Sequence, residues 1–139
     1  ALSPLVEVAR GLDTSDETHD AVCNFLKKCG KDTATVNDAP AFIINRFYIP
    51  FINEAFFALE EGIASAEDID KLCTKGLGHS LGPLAAADSS GLDIVLSCID
   101  SLHKQLGDKY RPSPLLVRMV RANRLGRKTG RGVYEYSKK

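Results

Sequence analysis

Apolar residues recur every three or four positions along most of this chain, which is the period of an α-helix. We predict helices over residues 16–29, 42–61, 65–74, 83–88, 92–106 and 115–123. Thr14 or Ser15 is a candidate cap for the first helix, and Ser65 with Asp68 resembles a capping box for the third. Between the helices we expect loops, and extended backbone is expected in a brief strand after the N-terminal loop, at residues 33–36 and in a strand or extended tail at 133–136. The pattern therefore predicts an all-α domain with a short extended fringe at its start.

The predicted helix over residues 42–61 is the most apolar of the set. Its hydrophobic residues fall on all sides, so we expect a central helix that is packed on most faces. Pro50 lies inside it and should kink or split it. At the start of this helix, Asp38 is placed to cap the free amides of the first turn. Pro40 suits the same position because it lacks the N–H that would be left unpaired there.

Length and charge narrow the function classes. The chain has 139 residues, which suits one core, and its formal net charge is zero. A neutral chain gives no electrostatic argument for nucleic acid or an anionic membrane. No apolar run reaches the length of a membrane span. The start, Ala1-Leu2-Ser3-Pro4, has no basic region and no initiator methionine, so we expect no signal peptide and a fragment of a longer protein.

The cysteines and glycines give no sign of a metal or nucleotide site. The four cysteines are far apart in sequence, and we expect small buried side chains in a reducing compartment: Cys23, Cys29, Cys73 and Cys98. Residues 76–82 hold three glycines, but they follow a predicted helix and lack the G-x-G-x-x-G spacing. The expected role of this loop, His79 included, is structural.

Two polar residues lie in apolar surroundings. Glu7 interrupts the run Leu5-Val6-Glu7-Val8, and Asn45 lies near the start of the central helix. Glu7 either faces solvent or is interior and needs a cationic partner, which we then expect upstream of Ala1. Asn45 is either a surface residue or an amide directed at a site.

Cations are concentrated near the C-terminal end, at Arg118, Arg121, Arg124, Arg127, Lys128 and Arg131. One interpretation is a solvated face that balances acidic residues. The other is a patch that receives the phosphates of a nucleotide-like ligand or the acidic surface of a partner subunit. Aromatic interleaving and a DNA-reading motif are missing, so nucleic acid is the weaker expectation.

Several motifs together resemble the 3-hydroxyacyl-CoA dehydrogenase family, and most closely its bacterial 3-hydroxybutyryl-CoA branch. The resemblance is collinear over nearly the whole chain. It rests on residues 5–8 with Gly11 and Thr14-Ser15, on Val36-Asn37-Asp38-Ala39-Pro40-Ala41-Phe42-Ile43-Ile44-Asn45-Arg46, and on residues 50–55, 76–84, 91–93 and 126–134.

The resemblance implies a two-domain enzyme in which NAD binds an N-terminal Rossmann domain. Residues 1–38 would be the remnant of that domain, and residues 39–139 the helical substrate and dimerisation domain of the 6-phosphogluconate dehydrogenase C-terminal-like type. The intact enzyme would interconvert (S)-3-hydroxyacyl-CoA and 3-oxoacyl-CoA with NAD or NADP. This part alone should bind no cofactor and be inactive. A homodimer through the central and last two helices is implied, in the bacterial cytoplasm or alternatively the mitochondrial matrix.

Two residue roles follow from the resemblance. Glu7 matches the glutamate that orients the catalytic histidine, and that histidine should precede Ala1. Asn45 matches the asparagine that supports the substrate at the active site. Ala41 stands where the family usually has glycine, and Ser80-Leu81 where it has proline and methionine. The alternatives are a non-catalytic helical dimerisation module and a related dehydrogenase acting on a sugar acid.

Overall fold

A computed structural model of the chain describes residues 3–136, so Ala1 and Leu2 of the predicted N-terminal loop lie outside it. The backbone forms two compact units, one up to Arg46 and one from Phe47 onward. The division falls within the first turn of a long helix.

The first unit contains a β-α-β arrangement. Strand β1 (Leu5–Arg10) and strand β2 (Asp32–Asn37) are parallel, with Glu7 opposite Ala34 in the register. Helix α1 (Asp16–Lys28) connects them, as parallel pairing requires a crossover. The expected all-α fold with a short extended fringe is thus confirmed only in part, because the β-branched residues of both runs pair into a small sheet in this unit.

Helix α1 begins and ends as predicted. The hydroxyl of Ser15 accepts a hydrogen bond from the Thr18 N–H (3.1 Å), and Gly30 follows the helix with a φ of 72°. The apolar residues of this helix, however, are not covered within residues 3–46. Phe25 is 64% exposed, and no residue of the helix is fully buried.

The second unit is helical. It contains α2 (Ile44–Glu60, whose first turn lies before the division), α3 (Ala66–Lys71), α4 (Pro83–Ser90), α5 (Leu92–Leu106) and α6 (Pro114–Arg121). A π-helical turn (Leu72–Gly76) extends α3, and short 3₁₀ turns occupy Asp108–Tyr110 and Arg127–Thr129. The core is formed by fully buried side chains of four helices: Ile52, Phe56, Leu84, Leu92, Val95, Ile99, Leu102 and Leu116.

Helix α2 is not split at Pro50, which removes only the hydrogen bond to the Arg46 carbonyl, four residues earlier. The expected packing on most sides is found over residues 48–59, where Glu54 is the one exposed residue. Ile49, Ile52 and Phe56 form a buried stripe at helical spacing, whereas Phe47 near the start is 70% exposed.

Two acidic side chains hold this helical unit together by capping helix starts that are distant in sequence. Asp70 accepts from the N–H groups of Leu84 (2.8 Å) and Ala85 (2.9 Å), at the start of α4. Glu60 accepts from the Leu115 N–H (3.0 Å) at the start of α6. Carboxylates at helix N-termini satisfy free amides and complement the helix dipole.

Asp88 fixes the last described segment, residues 126–136. It is 1% exposed and accepts from the N–H groups of Val133 and Tyr134 (both 2.9 Å) and from the Tyr136 hydroxyl (3.0 Å). A methyl group at Gly132 would overlap the Asp88 carboxylate. The segment holds isolated bridges at Arg131 rather than the regular strand that was one of two expectations for residues 133–136.

The cationic residues near this segment mostly pair inside the chain. Arg118 lies 2.9 Å from Glu60, Lys128 2.6 Å from Asp93 and Arg131 2.6 Å from Glu135. Arg124 donates to the Gly132 carbonyl (2.7 Å). These contacts favour the first interpretation, in which the cations balance acidic residues of the same chain.

The cysteines are free thiols, but the expectation that they are buried is wrong. Cys29 is exposed, and Cys23, Cys73 and Cys98 are half-buried. Between residues 3 and 136 we find no group of three or more His, Cys, Asp or Glu side chains that could hold a metal ion. None of the helices described is long and apolar enough to cross a membrane.

Candidate active site

Glu7 has a defined partner in the first unit. It lies in the middle of β1 and is half-buried. Its Oε1 atom accepts hydrogen bonds from the backbone N–H groups of Ile43 (2.9 Å) and Ile44 (3.1 Å). These amides open α2, so the Glu7 carboxylate is the N-terminal cap of that helix. We expected a cationic partner upstream of Ala1 and did not predict these two backbone amides.

The entry to α2 is built by a tight turn rather than by Asp38 and Pro40. The Phe42 N–H donates to the Ala39 carbonyl (3.0 Å), and Ala41 and Phe42 have left-handed φ angles of 60° and 51°. The helix therefore starts at Ile44, two residues after the predicted start at Phe42, and Pro40 lies outside it. Asp38 is exposed and does not cap the helix; the predicted cap is wrong because this turn points the first free amides at Glu7.

The site is electrostatically favourable for a carboxylate. The N-terminus of a 17-residue helix carries a partial positive charge, and two N–H donors hold one oxygen in place. In the part of the chain that the structure describes, the other oxygen, Oε2, has no hydrogen-bond donor. Glu7 is thus fixed through one oxygen and can accept a further hydrogen bond through the other.

Asn45 follows the capped amides directly. It is the second residue of α2 and is exposed, with no side-chain hydrogen bond within residues 3–136. The structure therefore brings both residues that sequence reasoning selected to the same helix start. What sequence reasoning missed is the pair of amides that links them, since no local signal connects residues 36 positions apart.

Within the first unit, the histidine does not contact Glu7, because His19 bonds to Thr35 and Asp20. In the second unit, the His79 ring packs 5.0 Å from the Phe51 ring, and His103 pairs with Asp108. The base that a glutamate of this kind would orient is therefore not among residues 3–46 of the first unit.

The loop between β1 and α1 does not have the features of a dinucleotide site. The loop from β1 to α1 contains a single glycine, Gly11, and Ser15 already caps the first amides of α1. A dinucleotide fingerprint needs a glycine-rich turn whose free amides face the pyrophosphate. The described residues do not fit NAD by themselves.

Comparison with protein families decides the relationship. Residues 42–136 match the model described as "3-hydroxyacyl-CoA dehydrogenase, C-terminal domain". This chain belongs to the 3-hydroxyacyl-CoA dehydrogenase family. Residues 1–39 match the NAD binding domain of the same family, which has its own model. The two matches follow each other in the family's order, as the sequence motifs indicated.

Individual members of the 3-hydroxyacyl-CoA dehydrogenase family are similar over almost all of the chain. A "Probable 3-hydroxybutyryl-CoA dehydrogenase" of Bacillus subtilis is 51% identical over 136 residues, which is 97% of this chain and 47% of that protein. The human protein "Hydroxyacyl-coenzyme A dehydrogenase, mitochondrial" is 38% identical over 134 residues, covering 95% and 43%. The chain thus spans about half the length of the curated relatives it matches.

A solved structure agrees with these sequence matches. The crystal structure of an (S)-3-hydroxybutyryl-CoA dehydrogenase from Ralstonia eutropha superposes with a TM-score of 0.95 at 51% identity. The match covers 99% of this chain and 49% of that one. The chain therefore shares the fold of that solved structure over the matched part.

Proposed function

We propose that this chain is the C-terminal part of an enzyme that interconverts (S)-3-hydroxyacyl-CoA and 3-oxoacyl-CoA with NAD or NADP. The observation that carries the proposal is the Glu7 carboxylate held by the Ile43 and Ile44 amides, next to Asn45. Relatives named as 3-hydroxybutyryl-CoA dehydrogenases, 51% and 50% identical to this chain, support a short acyl chain.

In this proposal Glu7 positions a histidine that the preceding part of the protein supplies. That histidine removes or returns the proton of the 3-hydroxyl group. The Oε2 atom of Glu7 accepts a hydrogen bond from the ring N–H, which fixes the tautomer of the histidine and stabilises its imidazolium form. The amides at Oε1 keep the carboxylate from rotating. Asn45 supports the substrate from the adjacent helix position.

The organisation of the intact protein is part of the same proposal. Residues 1–38 complete an NAD-binding domain, and residues 39–139 form the helical domain of the 6-phosphogluconate dehydrogenase C-terminal-like type. The exposed Phe25 and Leu12 of the first unit support the view that further sequence covers them. Exposed Phe47, Ile63 and Leu77 in the helical unit support a homodimer. We place the enzyme in a bacterial cytoplasm, with the mitochondrial matrix as the alternative.

The test separates the catalytic role of Glu7 from its role as a helix cap. Glu7→Gln in the intact protein keeps a carbonyl oxygen that can accept from Ile43 and Ile44, but it loses the charge that holds the histidine. We expect kcat to fall by about 10²-fold or more while the affinity for NAD stays the same. Glu7→Ala also loses the cap, which we expect to lower the unfolding free energy by about 0.5–2 kcal/mol.

Glu60→Gln is the matched control, because Glu60 is also a capping glutamate but lies in the second unit at the start of α6. We expect it to change stability and leave kcat unaltered. A Glu7→Gln enzyme with the turnover of the wild type would refute the role of Glu7. Failure of the intact protein to oxidise any 3-hydroxyacyl-CoA would favour the non-catalytic dimerisation module.

A further inference from the structure

The first unit contains a second cluster of reactive side chains, away from the helix entry. His19, Asp20 and Cys23 lie on α1, and the His19 ring contacts Thr35 on β2. The Nδ1 atom lies 3.1 Å from Asp20 Oδ1, and the Nε2 atom lies 3.5 Å from the Cys23 sulfur and 2.8 Å from the Thr35 hydroxyl. The imidazole of His19 therefore contacts a thiol through one ring nitrogen and a carboxylate through the other.

The contact with Asp20 sets the direction of proton transfer. A carboxylate only accepts hydrogen bonds, so in the neutral ring Nδ1 carries the hydrogen and Nε2 presents a lone pair. That lone pair faces the thiol of Cys23. A nucleophile beside a base that is oriented by a third group is the arrangement that activates cysteine.

A surface cavity of about 380 Å³ opens beside the thiol. Its lining includes Cys23, Lys27, Lys31 and Asp32. Lys31 also donates to the Ser3 carbonyl (2.6 Å), which holds its ammonium group at this surface. Two ammonium groups against one carboxylate favour a small ligand with negative charge.

We propose that Cys23 is a site of reversible thiol modification by a small acidic disulfide of the glutathione type, with His19 as the base. His19 Nε2 takes the thiol proton, and the Cys23 thiolate attacks one sulfur of glutathione disulfide. A new S–S bond forms while the S–S bond of glutathione disulfide breaks. The departing thiolate takes the proton back from His19. Cys23 is oxidised to a mixed disulfide, and one glutathione is reduced.

Cys29 provides an internal control in the same chain. It is exposed, whereas Cys23 is half-buried, and in residues 3–136 its sulfur has no hydrogen bond with a histidine. Accessibility alone therefore predicts that Cys29 reacts faster. We treat the intact protein with glutathione disulfide at pH 7 and follow each site by peptide mass spectrometry. We expect Cys23 to react at least about tenfold faster than Cys29.

Two variants should move the rate in opposite directions. His19→Gln removes the base, and we expect the rate at Cys23 to fall about tenfold or more with Cys29 unchanged. Thr35→Val removes the hydroxyl that competes for the Nε2 lone pair, so the rate at Cys23 should rise. If His19→Gln does not fold, Asp20→Asn at the exposed carboxylate decides, and it should slow Cys23 alone.

The charge of the reagent tests the cavity. With Lys27→Glu we expect Cys23 to react more slowly with glutathione disulfide and faster with cystamine, a disulfide that carries two positive charges. The proposal is overturned if Cys29 reacts as fast as Cys23. It is equally overturned if the rate at Cys23 is unaffected by both His19→Gln and Asp20→Asn.

Discussion

Removing the carboxylate of Asp88 should detach residues 126–136 from the helical unit. This side chain is 1% exposed and accepts three hydrogen bonds from Val133, Tyr134 and Tyr136. In Asp88→Ala the two N–H groups and the hydroxyl lose their acceptor. Each of these half-buried donors loses its acceptor at about 1–3 kcal/mol, and the relief from no longer burying a charge offsets part of the sum. We expect a net loss of about 3 kcal/mol in the free energy of unfolding.

The amide variant should have a stability between those of the wild type and Asp88→Ala. Asp88→Asn keeps one oxygen, which can serve Tyr134 and Tyr136, but its NH₂ group then meets the N–H of Val133. One mismatched donor predicts a loss of about 1–3 kcal/mol. Tyr136→Phe removes a single hydrogen bond and should cost about 1 kcal/mol.

Urea unfolding of the intact protein measures these differences. The chain itself has no tryptophan and four tyrosines, two of them in the segment concerned, so tyrosine signals and circular dichroism are suitable probes. Hydrogen exchange at the Val133 and Tyr134 amides reports on the segment directly. Asp108→Ala is the control, since its side chain is 100% exposed. An Asp88→Ala protein within about 1 kcal/mol of the wild type, with both amides still protected, would refute the reasoning.

Two further predictions concern the helix entry and acid stability. Ala41 has a φ of 60°, a conformation that costs a non-glycine residue about 1–2 kcal/mol. Glycine avoids this strain but loses about 0.5–1 kcal/mol through the greater flexibility of its unfolded chain. Ala41→Gly should therefore raise the unfolding free energy by about 0.5–1 kcal/mol in a urea titration, whereas Ala39→Gly should lower it; a loss at both positions would contradict the strain. The hydrogen bond from Lys128 holds the pKa of Asp93 below its ordinary 3.8. A lowered pKa stabilises the fold above that value, and the stabilisation is lost as the pH falls through the folded pKa. Lys128→Met should weaken this acid dependence below about pH 4 in melts at stepped pH, and an unchanged profile would argue against the pair.

Local signals predicted the helix boundaries well. Ser15 and Ser65 each cap the helix that follows by accepting from the amide three residues ahead. Helix α5 has the predicted bounds of Leu92 and Leu106. Both the capping atoms and the apolar period lie within a few positions of each other in such cases. The family match also confirms the resemblance that the motifs carried.

Long-range contacts were beyond a reading of the sequence. The cap of α2 comes from Glu7, 36 residues before Ile43, and Asp88 binds an amide 45 residues later. A carboxylate in an apolar run indicates a partner only if it is interior, and backbone amides have no residue signature that would name the partner. The sheet was missed for the same reason, since each run alone is too short to show pairing.

The contact between Asp88 and residues 133–136 also affects how the chain folds during its synthesis. On the ribosome, Asp88 is synthesised 48 residues before Tyr136, so its acceptor atoms wait about 2–10 s for their donors at ordinary elongation rates. Until then the helical unit must leave a charged group uncovered at the position where its core closes. We expect the final packing step to follow translation of this segment, so that a prematurely ended message yields a chain open to chaperones and proteases.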